Sequence, residues 1–220
     1  MDRRLVATLC AALAAAGLLA VPVFAGASPT GAAQAPERAP ALEIAAGAIK
    51  GQPTTARGEV DAPGVTVLLQ RLDARTGWTT VATARAGADG AWSASWSPTG
   101  VGRVQLRAIV QGQDAARAAS TGSTDVIVHR QARATWYGPG FYGRRTACGK
   151  RLTRSTLGVA HRTLPCGTKV SIFYSGRRIE VPVIDRGPFA NGATFDLTAA
   201  AAKQLGFTQT AVIGALRIRP

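Results

Sequence analysis

The sequence predicts an all-β protein, in which an N-terminal β-sandwich is followed by a small C-terminal β-barrel with one short helix. Three observations support this fold class. Short runs of β-branched and aromatic residues are separated by turn signals such as Asp89-Gly90. One segment, from Thr198 to Gly206, has the capping residues and helix formers of an α-helix. Finally, 46% of the 220 residues are hydrophobic, which is enough to bury a core.

Residues 1–27 have the pattern of a secretory signal peptide. A basic start is followed by a long apolar run, by Pro22 and by small residues around Ala25 that suit cleavage. An uncleaved membrane anchor is the alternative, since the apolar stretch approaches the roughly 20 residues that span a bilayer. Residues 28–42 are rich in Pro, Ala and Gly and are predicted to be a flexible linker.

Residues 43–131 are predicted to form an immunoglobulin-like β-sandwich. The predicted strands cover residues 64–72, 78–84, 91–96, 104–110 and 124–128. The pattern of Trp78, Trp92 and the Asp89-Gly90 turn resembles the cysteine-free immunoglobulin-like modules of bacterial surface proteins. Trp78, Trp92 and Trp96 are expected to pack in the core, with a sugar-stacking platform as the alternative.

Positive charge is concentrated in the C-terminal segment, residues 132–220. The whole chain has 26 Lys and Arg against 12 Asp and Glu, and this segment alone has fourteen basic and three acidic residues. Such an excess favours a polyanionic partner, either nucleic acid, an anionic lipid surface or an acidic wall polymer. Function is therefore sought here. Predicted strands cover residues 134–137, 156–160, 168–174, 178–184 and 211–218, which with the helix describe a small barrel of five or six strands.

The three acids of this segment are the candidates for acid/base chemistry. Glu180 lies in an alternating strand pattern that turns it to solvent. Asp196 precedes the helix, where the helix dipole gives it a structural role. Asp185 ends an apolar strand and opens an Arg-Gly-Pro turn, which places it at the rim of a sheet. A salt bridge to Arg186 or a turn-capping bond is the structural alternative for Asp185.

Cys148 and Cys166 are the two cysteines that remain after signal cleavage, and export favours a disulfide between them. A metal site made of both thiols and His161 is the alternative. His161 follows an apolar strand and lies close to Cys166, so it can be fixed against a site. The other histidine, His129, is assigned no role, and no metal or cofactor is predicted.

Five runs in residues 134–220 together resemble the rare lipoprotein A family. They are residues 134–138 (ATWYG), 143–149 (GRRTACG), 158–170 (GVAHRTLPCGTKV), 183–189 (VIDRGPF) and 195–201 (FDLTAAA). The resemblance covers nearly all of this segment and implies a six-stranded double-psi β-barrel, the fold of the catalytic-like domain of expansins. It also implies peptidoglycan glycan strands as the substrate and lytic transglycosylase activity on strands stripped of stem peptides.

The resemblance also suggests the site residues. Asp185 and His161 match residues of the family's site, and Lys150 stands where the family has a glutamate. Asp185 is expected to act as the acid/base, since an attacking 6-hydroxyl of the muramic acid removes the need for a second carboxylate. His161 would orient Asp185 or bind the sugar. Tyr137, Lys150 and Arg186 are expected to contact the substrate.

Two functions remain open from the sequence. The first is a secreted lytic transglycosylase that acts through Asp185. The second is a non-catalytic, expansin-like module whose basic groove binds peptidoglycan and anionic wall polymers, as the cation Lys150 in place of a carboxylate suggests. Nucleic acid is disfavoured as a partner because of export and the lack of a nucleic-acid-binding motif. No stable membrane partner is expected after signal cleavage, and the expected location is outside the cytoplasm or in the cell wall.

Overall fold

The structure, a computed structural model, describes residues 41–112, 122–189 and 192–218 of the chain. The predicted signal peptide and all but the last two residues of the predicted linker lie outside the described residues. Within the described part, no helix is long and apolar enough to cross a membrane. The described residues are mostly β-structure with one short helix, which confirms the all-β prediction.

Two sheets make up the N-terminal half of the described chain. Its strands are β1 (Gly47–Ile49), β2 (Thr54–Glu59), β3 (Thr66–Asp73), β4 (Gly77–Arg85), β5 (Ala91–Trp96), β6 (Gly102–Val110) and the first part of β7 (Thr124–Tyr137). One sheet is the antiparallel pair β2–β5. The other has the order β4–β3–β6–β7, and β1 pairs with β7 in parallel. Strands β3 to β6 correspond to the strands predicted at residues 64–72, 78–84, 91–96 and 104–110.

A shared apolar core lies between these two sheets. Trp92 and Trp96, on alternate positions of β5, are buried in the same apolar cluster as Leu69 and Leu106 of the other sheet. The core prediction holds for these two tryptophans. Trp78 is half-buried instead, with the Arg107 guanidinium 4.2 Å from its ring centroid. Two sheets over one core are what a sandwich requires, and the immunoglobulin-like class of this half stays a prediction.

Six strands of the C-terminal half pair in a closed ring. They are β7, β8 (Val159–His161), β9 (Lys169–Tyr174), β10 (Arg177–Asp185), β11 (Phe195–Thr198) and β12 (Ala211–Arg217). The ring runs β7–β11–β8–β10–β9–β12 and returns to β7. Its interior is filled by apolar side chains such as Ile172, Leu197 and Ile213. This ring fits the double-psi architecture that the sequence predicts.

Local sequence signals set the turn and the helix of this half. Ser175 and Gly176, both with positive φ, make the two-residue turn between β9 and β10, as predicted. Helix α1 (Ala199–Leu205) begins after Thr198, whose hydroxyl accepts a hydrogen bond from the Ala201 N–H at 3.3 Å. It ends at Gly206, which has the left-handed conformation with φ 69°.

The two halves share strand β7, and His129 in the middle of it joins them. The Nδ1 atom of His129 lies 3.1 Å from the carbonyl oxygen of Ala48 in β1, and Nε2 lies 2.9 Å from the hydroxyl of Ser171 in β9. Because a carbonyl only accepts, Nδ1 carries the proton and Nε2 accepts from Ser171. The ring is fully buried and stacks on Phe173. The histidine without a predicted role is therefore the polar link between the halves.

This link makes stability sensitive to acid. Burial lowers the pKa of His129 below its ordinary 6.5, and the nearby Arg178 lowers it further. In the unfolded chain the His129 imidazole takes up a proton near pH 6.5, whereas in the folded chain it stays neutral at that pH. The free energy of unfolding therefore falls as pH drops below 6.5. We expect urea denaturation between pH 7.5 and 5 to show this fall, at up to about 1.4 kcal/mol per pH unit.

The control compares the His161→Gln protein with the double variant that also carries His129→Gln. The shared substitution removes the contribution of His161, whose pKa is also lowered. The His129 substitution should flatten the pH dependence of the free energy of unfolding while lowering stability at neutral pH, since it disturbs the buried hydrogen bonds. An unchanged slope in the His129 variant would contradict the prediction.

Candidate functional site

A cleft of about 650 Å³ lies on the C-terminal half. Its walls come from the end of β7, the segment that follows β7, the turn after β10, and β11. Two carboxyl groups and several aromatic rings share it. The residues that characterise the cleft are Trp136, Tyr137, Phe141, Asp185, Phe189 and Asp196. Acids, hydroxyls and exposed aromatic faces in one concave surface are typical of a polar-ligand or sugar-binding site.

Asp185 sits at the end of β10, at the rim that the sequence predicts for it. Its Oδ1 accepts hydrogen bonds from the backbone N–H groups of Ala147 and Arg186, each at 2.8 Å. The turn that follows contains Gly187, with φ 115°, and Pro188. The two amides hold the carboxylate in one orientation at the cleft. The alternative salt bridge to Arg186 is not formed, because only the backbone amide of Arg186 donates to the Asp185 carboxylate, while its guanidinium donates to backbone carbonyls.

Asp196 is the second carboxyl group of the cleft, and sequence reasoning gave it a different role. It lies in β11 with Phe195 and Leu197 buried on either side, and the helix is capped by Thr198 instead. Its Oδ1 accepts a hydrogen bond from the hydroxyl of Thr135 at 2.7 Å. Burial raises the pKa of Asp196, the Thr135 hydrogen bond opposes this, and the charge of Asp185 raises it further. The helix-terminus interpretation of Asp196 is corrected accordingly.

Tyr137 lines the cleft beside both acids. Its hydroxyl is enclosed and completes no hydrogen bond of good geometry within the described structure, although it lies near enough to Asp185 to interact with it. Burial raises the pKa of Tyr137, and the charges of Asp185 and Asp196 raise it further. The phenol is therefore neutral, and its enclosed hydroxyl lies beside the Asp185 carboxylate.

His161 lies at the end of β8 and is not among the side chains that line the cleft. Its Nδ1 accepts hydrogen bonds from the N–H groups of Thr163 and Leu164, at 3.2 and 3.0 Å. Its ring packs on Phe195 at a centroid distance of 4.8 Å. Burial lowers the pKa of His161, and the neighbouring Arg162 and Arg186 lower it further. A neutral ring that accepts at Nδ1 orders the loop after β8.

Arg186 and the disulfide fix the same loop from its other side. The Nη1 atom of Arg186 donates to the carbonyl of Leu164 at 3.0 Å, with the carbonyl oxygens of His161 and Asp185 each at 3.4 Å, and Nη2 lies 3.4 Å from Cys166 Sγ. Cys166 is bonded to Cys148, as predicted. The two sulfur atoms therefore leave no thiolate for the alternative metal site. Arg186 borders the cleft, but its guanidinium is engaged within the protein.

Lys150 lies at the tip of a tight hairpin, residues 143–152, which we call the basic hairpin. Backbone hydrogen bonds between Gly143 and Leu152 and between Leu152 and Arg144 close it. Lys150 is exposed and stands outside the cleft lining, whereas Arg144 and Arg145 reach the cleft. Within the described ranges, no carboxylate pairs with these cations. The family's glutamate position thus carries an exposed cation beside the cleft.

The structure brings together Tyr137, Asp185 and Arg186 of the predicted site residues and leaves His161 and Lys150 outside the cleft lining. Sequence reasoning missed Asp196 and three exposed aromatic side chains of the cleft, Trp136, Phe141 and Phe189. The alternation of Phe195, Asp196 and Leu197 is the signal that could have identified Asp196, because it turns the acid away from two apolar neighbours. Among the described residues, no group of three or more His, Cys, Asp or Glu side chains could hold a metal ion.

The C-terminal half of the chain is similar to known proteins. The family model described as "Lytic transglycolase" matches residues 129–218. A probable endolytic peptidoglycan transglycosylase RlpA from a Synechocystis strain is 48% identical over 81 residues, which is 36% of this chain and 25% of the relative. A probable one from Aquifex aeolicus is 45% identical over 36% of each chain. The endolytic peptidoglycan transglycosylase RlpA of Campylobacter jejuni is 45% identical over 33% of this chain and 27% of its own length.

The match spans only about a quarter to a third of the length of these relatives. Among solved structures, the Streptomyces papain inhibitor (SPI) matches with 28% identity and a TM-score of 0.31, over 40% of this chain and 93% of its own. The family model and the level of identity to the curated relatives agree on the same segment. Residues 129–218 of this chain therefore match the lytic transglycolase family model and are similar to the rare lipoprotein A relatives, as the sequence resemblance implies.

Proposed function

We propose that this chain cleaves the glycan strands of peptidoglycan as a lytic transglycosylase, with the chemistry divided between Asp196 and Asp185. The observation that carries the proposal is the pair of carboxyl groups in one cleft. Burial raises the pKa of Asp196, while two backbone amides hold Asp185. Two carboxyl groups in unlike environments supply the acid and the stabilising charge for glycoside cleavage. The similar proteins described as peptidoglycan transglycosylases support the substrate class.

The proposed step uses no water. The Asp196 carboxyl donates its proton to the glycosidic oxygen as the bond between that oxygen and the anomeric carbon breaks. The 6-hydroxyl oxygen of the same muramic acid attacks the anomeric carbon, and its proton passes to Asp196, which ends protonated as it began. The carboxylate of Asp185 lies opposite the positive charge that develops on the sugar. The products are a free hydroxyl end and a 1,6-anhydro end.

The other residues of the site support Asp185 and Asp196. The Tyr137 side chain forms part of the cleft wall beside the bound sugar, and its enclosed hydroxyl stays near the Asp185 carboxylate. His161 and Arg186 hold the loop whose position fixes Asp185, so both are positioning residues in this proposal. The sequence suggests Asp185 alone as the acid/base, and the half-buried Asp196 in the same cleft favours a division of roles.

The test is digestion of purified peptidoglycan, with and without stem peptides, by the chain and by its Asp185→Ala variant. Mass spectrometry then detects 1,6-anhydromuropeptides. We expect anhydro products from the unsubstituted chain and their loss in the variant. Hydrolytic products without an anhydro end, or no products at all, would overturn the proposal.

A non-catalytic wall-binding module is the second candidate, and the basic hairpin favours it. Its exposed Arg144, Arg145, Lys150 and Arg151 present a cationic edge beside the cleft. This edge would bind phosphate or carboxylate groups of wall polymers through contacts that salt screens. Sedimentation with cell walls should therefore weaken as salt rises. Salt-sensitive sedimentation without anhydro products would favour this candidate over cleavage.

We further infer that the chain acts outside the cytoplasm. The signal-peptide pattern of residues 1–27 and the disulfide between Cys148 and Cys166 support this location. Fractionation of the producing cell, with detection of the chain by an antibody, tests it, and a cytoplasmic pool alone would refute it.

A further inference from the structure

Exposed aromatic side chains concentrate at the cleft. Among the described residues, the large hydrophobic side chains that are exposed are Leu72, Trp136, Phe141, Leu157, Phe189 and Val212. The three aromatic ones, Trp136, Phe141 and Phe189, all line the cleft, and the three aliphatic ones do not. A group of exposed aromatic side chains at one site indicates a ligand that covers them.

Trp136 is held in place at the border of the cleft. It is 40% exposed, and its indole N–H donates to the carbonyl of Thr208 at 3.2 Å. The same side chain lines a second depression of about 430 Å³. Trp136 therefore borders both concave surfaces, and a ligand long enough to pass this side chain can contact both.

The second depression has the chemistry of a sugar site. Its walls are mostly apolar and include Tyr142, Ala199 and Phe207, and Lys203 adds a cation at the end of α1. The Arg154 guanidinium lies 5.6 Å from the Tyr142 ring centroid and supports that ring. Aromatic and apolar walls suit the apolar face of a pyranose, and a cation suits a carboxylate substituent.

We propose that this depression is a distal sugar subsite, so that one glycan strand occupies the cleft and the depression together across Trp136. The proposal rests on the proposed function in that it takes the same substrate, and it adds where the strand runs. Tyr142 stacks on a sugar ring of the strand, and Lys203 contacts the carboxylate of a muramic acid. Affinity therefore depends on strand length, because a short oligosaccharide fills only one of the two surfaces.

The test measures dissociation constants for the disaccharide and the hexasaccharide of N-acetylglucosamine by calorimetry. All proteins carry Asp196→Asn, so that cleavage does not interfere. The hexasaccharide should bind about tenfold more tightly than the disaccharide, the gain expected from one additional stacked ring. Tyr142→Ala should bring the ratio of the two constants close to one. Leu157→Ala removes an exposed hydrophobic side chain away from the cleft and is the matched control.

A second variant, Lys203→Glu, changes an exposed side chain and leaves the core intact. It should weaken binding of peptide-free glycan strands, which carry carboxylates, by about tenfold, and leave the neutral hexasaccharide unchanged. A ratio near one in the parent protein, equal effects of Tyr142→Ala and Leu157→Ala, or no effect of Lys203→Glu would each overturn the subsite.

The outcome is separable from that of the proposed function. If the unsubstituted chain releases no anhydro products but the length dependence holds, cleavage is refuted and the subsite stands. If the chain cleaves strands and the ratio is near one, the reverse follows.

Discussion

Asp196→Asn is expected to reduce release of anhydro products by about 10²- to 10⁴-fold, the usual contribution of a general acid/base. An amide of the same shape keeps an acceptor for the hydroxyl of Thr135 but has no carboxyl proton to donate. The measurement is the initial rate of anhydromuropeptide formation. Glu180→Gln is the matched control, since Glu180 is an exposed acid of the same half, paired with Arg178, and should retain full activity. Equal rates in the two variants would exclude Asp196 as the acid.

The pH profile gives a second check on Asp196. Its protonated form is the active one, so the rate declines as pH rises through its pKa. The Thr135 hydrogen bond lowers that pKa. Thr135→Val removes the bond, raises the pKa and should move the alkaline limb of the kcat profile to higher pH. A shift to lower pH, or none, would contradict this assignment.

Removal of the disulfide by Cys148→Ser with Cys166→Ser is expected to lower the free energy of unfolding by about 3 kcal/mol, because the crosslink closes an 18-residue separation. Cleavage should fall as well. Cys166 contacts the guanidinium of Arg186, and the residue before Cys148 donates its amide to Asp185, so the crosslink supports the carboxylate from two sides.

Urea denaturation and the digestion assay measure the two effects. Reductant should produce both losses in the unsubstituted chain and leave the double variant unchanged, which separates loss of the bond from the effect of the serines. Stability equal to that of the parent under oxidising conditions would show that the bond contributes nothing.

Strands with a strong alternation were predictable from sequence. The alternation from Ala91 to Trp96 predicts the observed bounds of β5, and Thr198 and Gly206 predict both ends of α1. Strands β1, β2 and β11 were missed because Gly47–Ile49 and Phe195–Thr198 are short and Thr54–Glu59 is mostly polar. The polar run around Arg130 resembled a connection, although it continues β7 through both halves. These segments have a weak local strand pattern, and pairing with strands distant in sequence stabilises them as strands.

The site was predictable where one segment determines it. Asp185 followed from a strand that ends at a Gly-Pro turn. Asp196 did not, because its role depends on the parallel pairing of β11 with β7, which brings Thr135 to it across 61 residues of sequence. Its nearness to the helix suggested a local role instead. The same holds for His129, whose partners Ala48 and Ser171 are far away along the chain.

Strand β7 has a mechanical consequence. Its 14 residues form one continuous strand with a length of roughly 45 Å, at about 3.3 Å per residue. One end carries the sheet of the N-terminal half, and the other end carries Trp136 and Tyr137 of the cleft. A pull on the N-terminal half is therefore transmitted along a paired strand to the cleft wall and is not absorbed by a hinge. The position and orientation of the N-terminal half therefore determine the position and orientation of the cleft.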